Sequence, residues 1–189
     1  MIRRLVRLES DCMAVPPSTA HSGSDLPSGK TPIQDIAPYY AAAVQTAFDA
    51  PRHRDEIGSR VEHMLEIARQ TIVGYEPFFD VRLLVYPEFS HVVPIHDTVD
   101  KLARNLAVEL PNEHVDAYAR FCAEYGCWIQ TGTFIEIDPD IGPDVLFNTT
   151  LLVGPTGVEL KYRKLNPWIP WEVHASPHDI DPTGDHLPV

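Results

Sequence analysis

Two ionisable residues, far apart in the chain, each close a strand-like run. Glu88 follows an apolar stretch and Pro87 in the segment LLVYPEF, and Lys164 ends the run ELKYRK. A second carboxylate, Glu172, stands eight positions after Lys164, with Pro167, Trp168 and Pro170 between them. Carboxylates and ammonium groups are side chains that move protons and hold developing anions. Taken singly, each has an ordinary reading: Glu88 as a solvated loop carboxylate, Lys164 as the charged end of a strand. The place of Glu88 is more telling than its type. It lies just past a β-branched, apolar run, and the ends of central strands in layered α/β proteins are where ligands bind.

The other reactive side chains carry less. Cys122 falls on the apolar face of a helical segment and reads as core. Cys127 opens a strand, and Cys12 sits in a polar stretch as an exposed thiol. His174, His178, Asp179 and His186 cluster near the end, but Pro177 lies between the first two histidines, so they do not share a helix face and no metal site is expected. His91 and His96 flank Pro94 and read as solvent-facing. No Gly-x-Ser-x-Gly or phosphate-loop motif offers a different chemistry.

The elements that must position these groups follow from periodicity. Residues 1–38, rich in Pro, Ser and Gly, read as a disordered tail. Residues 39–45 (YYAAAVQ) form a first strand. Ile57, Val61, Met64, Leu65, Ala68 and Ile72 then recur at helical spacing, which predicts an amphipathic helix over residues 52–73, ending near Gly74. Residues 81–86 (VRLLVY) are a buried strand with layers on both faces. Asp97 or Thr98 caps a helix through about Leu110. A second helix spans residues 111–125, with Val115, Tyr118, Ala119 and Cys122 inward, and Gly126 ends it. Strands are expected over residues 127–137, 146–153 and 158–162, the last two joined at GPTG. Pro167, Pro170 and Pro177 argue against regular structure beyond them. Residues 184–189 read as the start of another strand.

The bulk numbers narrow the classes. The chain has 189 residues, 44% hydrophobic and 22% charged, with a formal net charge of −12. That suits one globular domain and argues against nucleic acid and anionic membrane as partners. No run reaches the length of a membrane-spanning helix. Three cysteines without paired spacing suit a reducing, cytoplasmic setting.

Taken together, YPEFS around Glu88, the strand from Gly132 to Glu136, FNTTLLVGPTG with Asn148, and KYRK ending at Lys164 resemble the carbon–nitrogen hydrolase (nitrilase/amidase) superfamily. The spacing Lys164–Pro167–Trp168–Pro170–Glu172, with Phe89 after the first Glu, looks most like the aliphatic amidase and formamidase branch. The resemblance covers residues 39–189. It implies an α/β fold, the N-terminal portion of an α-β-β-α sandwich, incomplete at the C-terminus. It implies hydrolysis of a small amide or nitrile to acid and ammonia by a Glu-Lys-Cys mechanism with no cofactor. Glu88 would be the general base, Lys164 would stabilise the oxyanion, and Glu172 would orient the lysine or the substrate. Phe89 and Trp168 would wall a small pocket. The family's Cys comes after the Lys, at the end of the next buried strand, and this chain ends at HLPV, about where that strand region begins. Full-length members pair through helices of their second half, so a homo-oligomer is implied for the full-length form. The rival reading is a truncated, catalytically inactive relative that serves as a binding or assembly partner. A third is an unrelated α/β domain whose Glu and Lys match by chance.

Overall fold

The computed structural model describes residues 2–8, 37–47, 50–168, 171–184 and 186. Six strands among them form one sheet in the order β1 to β6. The strands are β1 (Ile2–Leu8), β2 (Tyr39–Val44), β3 (Val81–Val85), β4 (Trp128–Ile137), β5 (Leu146–Gly154) and β6 (Gly157–Arg163). The helices are α1 (Ile57–Tyr75), α2 (Val99–Asn105), α3 (Glu113–Tyr125) and α4 (Pro177–Ile180). β2, β3 and β4 run parallel, because helices carry the chain back between them; β4, β5 and β6 are antiparallel, joined by turns.

Alternation along the strands sorts the side chains between two faces. Ala42, Val44, Leu84, Ile129, Leu151 and Val153 are buried with Ile57, Val61 and Met64 of α1 and Val115, Tyr118 and Cys122 of α3. Both long helices therefore cover one face. The intervening positions point the other way, and Val85 and Trp128 there are 38% and 36% exposed. On that open face Leu83, Trp128 and Leu152, with Ala37, Tyr39 and Arg82, line a groove of about 380 Å³. No helix among the described residues is long and apolar enough to cross a membrane.

Several boundaries differ from expectation for identifiable reasons. Ile2–Leu8 lies within the stretch read as a tail, yet it pairs antiparallel with β2; residues 9–36 lie outside the described ones, and so does Cys12. Helix α1 begins at Ile57 after a single 3-10 turn and runs through Gly74, whose position in the last turn does not need a left-handed conformation. Helix α2 is capped by Thr98, as expected, but stops at Asn105. The chain beyond is extended, because Val108 bridges to β4: its N–H donates to Ile135 O at 2.9 Å, and Ile137 N–H donates to Val108 O at 3.0 Å. In α3, the Asn112 side chain accepts from His114 and Val115 N–H groups, and Gly126 ends the helix at φ 61°. Regular structure does occur near Pro177. Pro177 opens α4, where its missing N–H costs nothing, and Ser176 caps the turn. The strand expected from Gly184 falls mostly outside the described residues.

Candidate functional site

The turn after β3 carries Glu88, and it is clamped rather than loose. Phe89 adopts φ 60°, a left-handed conformation that a bulky side chain rarely takes. Its N–H donates to Thr133 Oγ1 at 3.0 Å, and Ser90 Oγ donates to Thr131 O at 3.3 Å. From α1, the Arg60 guanidinium donates to Ser90 O at 2.9 Å and to Ala47 O at 2.8 Å. His91 Nδ1 lies 2.8 Å from Thr133 O. These contacts converge on an irregularity in β4 between Gln130 and Thr133. Gly132 sits there at φ 75°, and a Cβ on it would fall 2.1 Å from Ser90 Oγ and 2.6 Å from Pro87 O. Only glycine lets the turn approach this closely.

Against the expectation of a solvent-facing ring, His91 is fully buried, stacked on Phe134 at 4.1 Å and edge-on to Tyr118 at 6.1 Å. Burial pushes its pKa down to about 3, against the pull of the Thr133 carbonyl. His96 is partly buried, its Nε2 shielded from solvent.

Strands β5 and β6 bring the second half of the site. Asn148 Nδ2 donates to Glu88 Oε1 at 2.7 Å, and Asn148 O accepts from Lys164 N–H at 2.8 Å. One residue thus steers both ends of the pair. Lys164 Nζ donates to Glu88 Oε1 at 2.9 Å and to both Glu172 oxygens at 2.9 Å. Glu172 Oε2 also accepts the Trp168 backbone N–H. Burial alone would lower the Lys164 pKa, but its bonds to Glu172 and Glu88 outweigh it and hold the ammonium above its usual range. Burial likewise pushes Glu172 up, and the Trp168 amide and Lys164 more than reverse it. The side chains are 43% exposed for Glu88, 27% for Lys164 and 6% for Glu172, so Glu88 and Lys164 meet solvent and Glu172 stands behind them. The Phe89 ring lies 6.0 Å from Lys164 Nζ. The Trp168 indole is 69% exposed and paired with Trp171 at 6.2 Å, so Trp168 reaches the ion pair through its backbone.

The basic residues of KYRK divide by alternation. Lys161 and Arg163 turn to the same buried carboxylate, Glu136, which also accepts from Thr149 Oγ1 at 2.6 Å; Arg163 donates to it at 2.9 and 2.8 Å and reaches Asp138 at 2.6 Å. Burial would raise Glu136, but Arg163, Lys161 and Thr149 hold it below its usual range. This cluster ties three strands together, and Lys164, one position on, turns to Glu88. Cys122 and Cys127 are buried at the α3–β4 junction, with Cys122 Sγ 3.3 Å from Val153 O. Cys127 precedes β4 and Ile135 pairs with Asn148, so eight residues of strand, about 25 Å, separate Cys127 from the site. Among the described residues no three His, Cys, Asp or Glu side chains gather to hold a metal ion.

Asn148, Arg60, Thr133, Ser90 and His174 surround the site, although sequence reasoning gives none of them a role there. Two of them leave a trace in the pattern. Arg60 interrupts the buried stripe of α1 between Ile57 and Val61, and Asn148 interrupts the apolar run of β5.

No family model matches the chain. Curated formamidases do: those of Bacillus cereus and Bacillus anthracis are each 28% identical over 144 residues, covering 74% of this chain and 40% of theirs. The chain thus spans about two fifths of the length of these relatives. Among solved structures, a Saccharomyces cerevisiae member of branch 10 of the nitrilase superfamily matches with a TM-score of 0.52 at 19% identity, covering 67% of this chain and 44% of that one. A carbon–nitrogen hydrolase of Helicobacter pylori matches with a TM-score of 0.54 at 11% identity, covering 73% and 44%. The partial nitrilase-type fold and the resemblance to carbon–nitrogen hydrolases read from the sequence are borne out.

Proposed function

We propose that the chain carries the general base and the anion-stabilising cation of an enzyme that hydrolyses a small amide or nitrile. The observation that carries this is the three-segment ion pair: one ammonium, Lys164, bridging an accessible carboxylate, Glu88, and a buried one, Glu172. Amides are poor electrophiles, so attack needs a deprotonated nucleophile and a group that holds the oxyanion. In this reading Glu88 takes the proton of a thiol. The thiolate attacks the carbonyl carbon, and the oxyanion settles against Lys164. Glu88 returns that proton to the leaving nitrogen as the carbon–nitrogen bond breaks and ammonia departs, and the regenerated carboxylate then takes a proton from the water that cleaves the thioester to the acid and the free thiol. Glu172, itself held by the Trp168 N–H, keeps Lys164 in place, Asn148 holds Glu88, and the Phe89 ring stands on the substrate side of the lysine, with the Trp168 indole free to close over a bound amide. The small acyl group of formamide is the first substrate to try, because the curated relatives are named formamidases.

The thiol comes from neither Cys122 nor Cys127, which are buried away from the pair. That same burial favours the second reading, in which the chain alone is inactive and acts as a binding or assembly partner. A cytosolic setting fits the cysteine usage, and homo-oligomerisation fits the resemblance. The test is ammonia release from formamide, short aliphatic amides and nitriles, with Glu88→Gln and Lys164→Met as controls. Turnover abolished by both substitutions supports the hydrolase. Turnover indifferent to them rejects these roles, and no turnover from the chain alone or with added downstream segment favours the second reading.

A further inference from the structure

The chain after Lys164 folds back and brings His174 up behind Glu172. The His174 side chain is fully buried, and neither ring nitrogen finds a hydrogen-bond partner among the described residues. Its Nε2 stands 3.8 Å from Glu172 Oε2, beyond hydrogen-bond reach but well within the range of charge. The ring is held there by backbone on both sides. Glu172 N–H donates to Trp168 O at 3.0 Å, and Ala175 N–H donates to Leu146 O at 2.7 Å, at the start of β5. A buried imidazole with two unpartnered nitrogens is costly, and such groups concentrate where a protein uses them.

Glu172 Oε2 is the contested atom. It accepts from Lys164 Nζ at 2.9 Å and from the Trp168 N–H, with His174 the third group in line. We propose that His174 is a positioning residue for Lys164: neutral, it leaves Glu172 to the lysine, and as a cation it takes Glu172 Oε2 and loosens the lysine from its anchor. The catalytic meaning of this rests on the hydrolase reading; the coupling itself does not. On protonation the ring gains one proton from solvent, a hydrogen bond forms from His174 to Glu172, and the bond from Lys164 to that oxygen weakens. Three charged groups act on the ring: Glu172 and Lys164 from the segment around it, and Glu88 from the turn after β3. Burial lowers the His174 pKa most, Glu172 opposes this, Lys164 adds to it and Glu88 opposes it, with a net shift below 6.5. Lys164 therefore holds both Glu172 oxygens near neutral pH and loses its hold on Oε2 on the acid side, keeping its bonds to Glu172 Oε1 and Glu88 Oε1.

The experiment is a pH titration of the 189-residue chain by nitrogen-15 resonance, reading the His174 ring and Lys164 Nζ together. The expected result is a Lys164 shift whose midpoint matches that of His174, below pH 6.5, and which is lost in His174→Gln. His174→Phe keeps a ring without nitrogens and is expected to lose the shift too, so a failure of one variant to fold does not decide the matter. A Lys164 midpoint unchanged in either variant would assign the titration to a group other than His174 and overturn the proposal. So would a His174 titration that leaves Lys164 unmoved, or a ring that stays neutral until the protein unfolds. Formamide turnover is read separately. The Lys164 coupling seen without turnover upholds the proposal and counts only against the chain acting alone as a hydrolase, and turnover whose acid limb ignores His174→Gln rejects the positioning role.

Discussion

Gly132→Ala tests whether the Glu88 turn is held by contact with β4. The new methyl would lie 2.1 Å from Ser90 Oγ and 2.6 Å from Pro87 O, at a residue with φ 75°. The left-handed conformation costs a residue with a Cβ about 1–2 kcal/mol. Ser90 Oγ can rotate away, but Pro87 O is backbone and must move by roughly half an ångström or more, so overpacking adds about 1–3 kcal/mol. The expected loss is about 2–5 kcal/mol, a large part of a typical domain's stability. Gly126→Ala is the control, since Gly126 has φ 61° and a Cβ there would meet nothing within 4 Å, so it bears the backbone cost alone. Urea unfolding of both variants gives the difference. A second substitution, Ser90→Ala in the Gly132→Ala background, is expected to recover only part of it, because Pro87 O remains. Should Gly132→Ala cost no more than Gly126→Ala, the close approach at the bulge is not what holds the turn. The same displacement should weaken the Glu88–Lys164 contact, visible as a change in the Lys164 side-chain resonance.

Two further predictions concern charge. Lys164→Met leaves Glu172 buried without its cation and is expected to cost about 1–3 kcal/mol in urea unfolding, whereas Glu88→Gln, at a carboxylate 43% exposed, is expected to cost less than about 1 kcal/mol; equal losses would contradict the division into a buried carboxylate and an accessible one. His91 has an ordinary pKa of 6.5 and a folded value of about 3, so between these pH values the unfolded chain binds a proton that the folded chain refuses. Stability from this site is therefore fully present above pH 6.5 and lost as pH falls, by about 2 kcal/mol at pH 5. His91→Gln should flatten the pH dependence of the unfolding midpoint over this range, and an unchanged slope would show that His91 is not the group responsible.

Strands β2 to β6 were legible because they alternate or run apolar over short stretches between turn residues, whereas β1 lies in the stretch read as a tail. Glu88 and Lys164 were placed by their positions at strand ends together with a family resemblance; neither clue alone puts a residue of β6 beside a turn after β3, and the 2.9 Å contact is a tertiary fact. What stayed hidden depends on partners distant in sequence. His91 is polar by type and lies close to a proline, so it reads as exposed, until Phe134 and Tyr118 close over it. The stop of α2 at Asn105 comes from the bridge of Val108 to a strand some thirty residues on, which no local propensity encodes.

The four residues of KYRK show how far local pattern carries function. Three of them are cationic, and composition ranks none above the others. Strand alternation separates them: Lys161 and Arg163 must share a face, and Lys164, past the end of β6, is free of that constraint. Glu136, on β4 and across β5 from them, then decides the matter, because a buried carboxylate captures both cations that face it. Had Glu136 been absent, Lys161 would lose its carboxylate and Arg163 would keep only Asp138, beside the Glu88–Lys164 pair. The lysine beside Glu88 is specific because its neighbours are already spoken for, so Glu136→Gln should disturb the Lys164 site less than it disturbs the packing of β4, β5 and β6, although all these residues lie within a few positions of one another in the same sheet.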